Sequence, residues 1–109
     1  MAWLMRGDDV LATAEVAATR NERRKGLMGR DCVDGAFVIE RCRNVHTFGM
    51  KVPIDVAFCD RDGCVLRIIT IAPKRISPFV ARSAFIIEAG AGCCERWNLR
   101  AGDIVELTQ

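Results

Sequence analysis

The twenty residues IDVAFCDRDGCVLRIITIAP, positions 54–73, constrain the fold more than any other part of the chain. Two apolar, β-branched runs flank Asp60-Arg61-Asp62-Gly63, a turn sequence in which Gly63 is free to take positive φ. The stretch predicts a β-hairpin, and its polarity pattern predicts a register. With a three-residue loop, Arg61 to Gly63, Asp60 faces Cys64. Phe58 then pairs with Leu66 and Val56 with Ile68, two apolar pairs on one face. With a four-residue loop, Phe58 faces Val65 but Val56 faces Arg67, so the first register separates apolar from polar side chains better. It sends Cys59 and Cys64 to opposite faces, where they cannot bond to each other. It also places Asp55 on the face away from Phe58, diagonal to Arg67.

The remaining elements are short and of the same kind. Strands are expected at residues 10–17, 35–41, 83–88 and 104–107 from their apolar and β-branched content. Residues 44–49 read as a short strand or extended loop, and Pro53 steers Val52 away from helix. Thr19 and Glu22 form a capping box that opens a short helix ending near Gly29. A second short helix is expected over residues 90–97, with Asn98 in a left-handed cap. The pattern predicts a mainly β fold, a β-sandwich or partly open barrel, with two short α-helices, organised as one domain over residues 1–109.

Half of the 109 residues are hydrophobic, which excludes intrinsic disorder and suffices for a core without staples. A net charge of +2, no tyrosine and only seven aromatic residues argue against a nucleic-acid partner. No run approaches the length of apolar sequence that a membrane span needs, and no membrane partner is expected. The opening MAWLMRGDDV has too short an apolar stretch for a secretory signal. A cytoplasmic location is therefore expected. In that reducing setting Cys32, Cys42, Cys59, Cys64, Cys93 and Cys94 read as free thiols rather than a disulfide framework.

Several segments together resemble the DUF192 family. They are ERRKGLMGR, FGM followed by PIDVAF, RDGCVL, FIIEAGAG and NLRAGDIVEL. Gly26-Leu27-Met28-Gly29-Arg30 is the sharpest of them, with Pro53-Ile54-Asp55 and Gly102-Asp103 in support, and the likeness spans about Val10 to Leu107. The resemblance implies a compact β-rich fold with short helices and implies no established activity. Many family members carry an N-terminal signal or membrane segment, which is not recognised here. The family commonly reads Phe-Trp-Met-Lys-Asn-Thr where this chain reads Phe48-Gly49-Met50-Lys51-Val52-Pro53, a form that looks like a subgroup variant.

Candidate functional residues cluster in NVHTFGMKVPIDVAF, residues 44–58. His46 is the chain's single histidine and has the chemistry of a proton shuttle or metal ligand; the plainer reading is a strand-edge side chain bonded to backbone. Asp55, inside an apolar run, needs a partner, either an arginine such as Arg67 or Arg30 or the backbone N–H groups of a turn. Glu88 has a similar choice, or caps the second helix. Met28 and Met50 suit an adaptable apolar pocket or an ordinary core. Cys93 and Cys94 near a helix start invite a reactive-thiol reading against simple packing. Arg20, Arg23, Arg24, Lys25 and Arg30 read as a solvated helix face. No CxxC pair or HxxxH run points to zinc, so no metal and no cofactor are expected.

Two functions follow. The first is a small soluble binding or interaction module with a shallow groove near Met28, Arg30, His46, Met50 and Asp55. It would take a small molecule or a protein or peptide, and act as a monomer or weak homodimer. The alternative is a small enzyme using His46 with Asp55 or Glu88 in acid and base roles.

Overall fold

The computed structural model describes residues 2–17, 19 and 35–109. Among the described residues, seven strands run in the order β1 Ala2–Arg6, β2 Asp9–Ala17, β3 Ala36–Glu40, β4 Ile54–Cys59, β5 Val65–Ile71, β6 Phe85–Gly90 and β7 Glu106–Thr108. One short helix, α1 Cys93–Arg96, lies between β6 and β7. The helix expected between Thr19 and Gly29 lies outside the described residues.

All seven strands belong to one mixed, open sheet in the order β5-β4-β6-β3-β2-β1-β7, rather than to the two packed sheets of a sandwich. Only β2 and β3 pair in parallel; the other five pairings are antiparallel. Cores form on both sides because the sheet curls. Cys64, just before β5, bridges to Ile104, just before β7. Val65 N–H donates to Asp103 C=O (2.8 Å) and Val105 N–H to Gly63 C=O (2.9 Å).

β4 sits where both cores meet it, and all six of its residues are buried. Ile54, Val56 and Phe58 face a first core with Phe37, Ile39 and Ile86. Ala57 and Cys59 face a second core with Leu4, Val38, Ile87 and Val105, inside the curl. Each large apolar side chain fully buried here stabilises the fold by roughly 1.5–3 kcal/mol.

The hairpin turn forms as expected, with Asp60 N–H donating to Cys64 C=O at 2.9 Å. The register beyond it is corrected by a β-bulge. Cys59 pairs with Val65, but Phe58 pairs with Arg67, leaving Leu66 as the extra residue. Val56 therefore faces Ile69 and Asp55 faces Thr70. Arg67 lies on the Phe58 side, away from Asp55, so the expected diagonal pair does not form. The second helix is shorter than expected, although Asn98 takes the left-handed conformation (φ 54°). The first strand, β1, was not anticipated.

Gly63 adopts φ +88°, and a Cβ there would run into the Val105 carbonyl. Gly63→Ala is expected to lower stability by about 2–3 kcal/mol through combined strain and overlap. Urea denaturation of the variant beside the parent checks this.

Candidate functional site

Of the residues expected to line one groove, Met50 and Asp55 lie on opposite sides of the sheet. Strand alternation sends neighbouring residues of β4 to opposite faces of the sheet. Met50 is buried in the first core with Ile54 and Val56. Asp55 points to the other side, where Thr70 Oγ1 donates to its Oδ1 (2.7 Å). Met28 and Arg30 lie outside the described residues. His46 is exposed and bridges to Ile76, its ring 5.5 Å from that of Phe48.

Asp55 is a structural acceptor. Its Oδ2 takes the Gly92 and Cys94 backbone N–H groups at 3.0 and 3.1 Å. The geometry shows the turn reading of this residue, with Gly92 and Cys94 as backbone donors; among the described residues no arginine is its partner, and Arg30 lies outside them. These two bonds carry the chain from β6 into α1, whose first N–H groups have no intrahelical partner. A cleft of about 520 Å³ opens beside Asp55, Thr70, Gly92, Cys94, Asn98 and Arg100. Both Asp55 oxygens are already bonded within the fold, and the exposed carboxylate lining the cleft belongs to Glu95.

The same carboxylate bears on the vicinal cysteines. Burial, reinforced by Asp55, pushes the Cys94 thiol up to about 12, which suppresses the nucleophilic thiolate. Cys59 is likewise pushed up to about 12 by burial and by Asp60. Cys93 is also buried, and its Sγ accepts from Arg96 Nη2 at 3.0 Å.

Glu88 sits on the face opposite Asp55, between Phe37 of β3 and Val56 of β4. It is 3% exposed, and its Oε1 has no hydrogen-bond partner among the described residues. Burial pushes the carboxyl up to about 7. It does not cap α1; Asp55 serves that turn. The two carboxylates on which an acid–base pair would depend are therefore divided by the sheet.

One surface stands apart. Residues 41–53 and 72–84 run side by side as an irregular ribbon over the first core. Val45 N–H donates to Ser77 Oγ (2.8 Å), Ser77 N–H to Val45 C=O (2.8 Å) and Thr47 N–H to Arg75 C=O (2.8 Å). Thr47, fully buried, donates from Oγ1 to Ala72 C=O (2.6 Å) and accepts from Arg75 N–H (2.8 Å). Val45, Thr47 and Ser77 thus face inward, while His46, Phe48 and Ile76 face outward. Phe48, Ile76 and Phe79 are 48, 66 and 65% exposed. The in–out alternation of Val45-His46-Thr47-Phe48 was the available sequence signal for this surface.

An open, curled, mainly β sheet with a short helix defines the class of protein. Within it, the chain belongs to the DUF192 family, described as Uncharacterized ACR, whose model matches residues 3–107. A protein of unknown function from Novosphingobium aromaticivorans has a similar structure. Its TM-score is 0.81 at 22% identity, over 96% of this chain and 82% of that one. A candidate transcription regulator from Sinorhizobium meliloti gives a TM-score of 0.75 at 24% identity, over 96% and 90% of the two chains. At these identities the likeness shows the fold alone. No curated protein matches. The family has no assigned function. Among the described residues, no helix is long and apolar enough to cross a membrane.

Two outcomes are expected. Asp55→Asn replaces one accepting oxygen by an amide donor facing backbone N–H groups, and should destabilise the fold by about 1–3 kcal/mol in chemical denaturation. Glu88 binds its proton more tightly folded than unfolded, where its value is the usual 4.5. Its neutral form therefore supports the fold fully below pH 4.5, and that support is lost as pH rises towards 7. The loss amounts to about 3 kcal/mol. Glu88→Gln should flatten this part of the stability–pH curve, and an unchanged slope would remove Glu88 as its source.

Proposed function

We propose that this protein is a non-enzymatic binding module that docks through the outer side of the ribbon formed by residues 41–53 and 72–84. The single observation that carries this reading is the exposure of Phe48, Ile76 and Phe79 on adjoining segments whose inward residues are fully integrated into the core. Clustered exposed apolar side chains on an ordered scaffold mark interaction surfaces. Among the described residues of the expected groove, His46 lies on this surface. The chain acts in the cytoplasm as a single domain over residues 1–109, monomeric or weakly dimeric. An acid–base role for His46 with Asp55 or Glu88 is not favoured, because Asp55 is bonded to three internal donors and Glu88 is buried while His46 faces outward.

The test is site-specific photo-crosslinking in living cells. A photoreactive residue replacing Phe48 or Phe79 should yield adducts, whereas one replacing Val10, 57% exposed on β2, should not. Adduct yields at Phe48 and Phe79 no higher than at Val10 would overturn the reading.

A further inference from the structure

The ribbon has a second property that the exposure of its apolar side chains does not require. Residues 41–53 and 72–84 carry Arg41, Arg43, Lys51, Lys74, Arg75 and Arg82, six of the chain's sixteen cationic residues, and none of its fourteen acids. The rest of the chain is net −4. All six cationic residues are exposed. Arg82, 78% exposed at its side chain, approaches the partly buried Asp60 at 3.9 Å, a loose contact at the limit of an ion pair. The apolar and basic side chains are interleaved: Ile76 follows Arg75, and Phe79 lies between Arg75 and Arg82.

From this juxtaposition of projecting Phe48, Ile76 and Phe79 with exposed cationic side chains such as Lys74 and Arg75, we propose that the ribbon docks on an anionic lipid surface. The inference rests on the docking role given to the ribbon above. Charge complementarity selects an anionic target. Ile76, the most exposed of the apolar side chains, is aliphatic and gives no face on which a nucleobase could stack. An acidic peptide added as a strand would need several consecutive pairings. The ribbon offers one isolated bridge, His46 to Ile76, before the chain turns at Gly49 with φ 85°. A lipid surface asks for neither. It takes apolar side chains at the level of the headgroups and cationic groups around them, and each lysine or arginine near an anionic leaflet strengthens binding severalfold. That no helix among the described residues can cross a membrane does not bear on attachment of this kind.

The experiment is co-sedimentation of the full chain with phosphatidylcholine vesicles, with and without phosphatidylglycerol, across a range of salt. Binding is expected to the anionic vesicles only and to weaken as salt rises. Lys74→Glu with Arg75→Glu should reduce partitioning by about tenfold or more, and Phe48→Ser with Ile76→Ser should reduce it without changing the net charge. All of these residues are exposed, and thermal melts confirm that each variant is folded. No binding to anionic vesicles at low salt overturns the proposal. So does binding that neither double variant alters, or binding of polyglutamate or single-stranded oligothymidine while vesicles are ignored. If vesicles fail while crosslinks at Phe48 persist in cells, the lipid target falls and the docking role stands. If the crosslinks are absent too, both fall.

Discussion

A carboxylate taken out of water must be given donors, and Asp55 receives three from two distant parts of the chain. Thr70 comes from the neighbouring strand, and Gly92 and Cys94 from the turn that follows β6. This one group therefore sets where β6 ends and where α1 begins. Cys94 and Leu99 are thereby brought down onto the second core beside Leu4 and Val105. Without those bonds the turn would present unsatisfied N–H groups to a buried site, and the apolar residues behind it would lose their placement. The ionisable residue inside IDVAF is part of the frame.

The two faces of the sheet solve different problems. On the Asp55 side, the curl of the sheet brings its own outer strands over the core, and closure is made at Gly63 and Val105, where only glycine leaves room. On the Glu88 side, the ribbon supplies Val45 and Met50 as cover. The ribbon holds itself together through Thr47 and Ser77, two small hydroxyl residues that act as local acceptors where a regular ladder is absent. Freed from pairing duties, its outer side chains can be apolar or basic without cost to the core.

Much of the frame was legible in the sequence because turn chemistry and apolar runs are local. The Asp60–Gly63 turn, the strands on either side of it, β3 and the left-handed Asn98 all follow from residues within a few positions of one another. The register of the hairpin was not legible, because a bulge at Leu66 leaves no mark in a polarity pattern. β1 was missed for a different reason: AWLMR is flanked by β2 on one side but by β7 on the other, and Leu4 meets Leu107 only at the far end of the chain. The site was harder still. That Asp55 needed donors could be read from its apolar neighbours; that they sit thirty-seven and thirty-nine residues away could not. Asp55 and Met50 looked like one groove because they are close in sequence, and strand alternation sets them on opposite faces. The ribbon was overlooked because its two halves, each unremarkable in charge, become one surface only when folded together.

The placement of β1 between β2 and β7 has a consequence for synthesis. Leu4 pairs with Leu107, so nearly the whole chain separates the two partners. A ribosome delivers β1 first and β7 last. During translation β1 can zip onto β2 as a hairpin, but its far edge stays bare until residues 106–108 have left the exit tunnel. Loop-closure entropy makes such a distant pairing slow. The sheet is thus completed only after β7 has emerged, and until then the folding chain carries an open strand edge along β1.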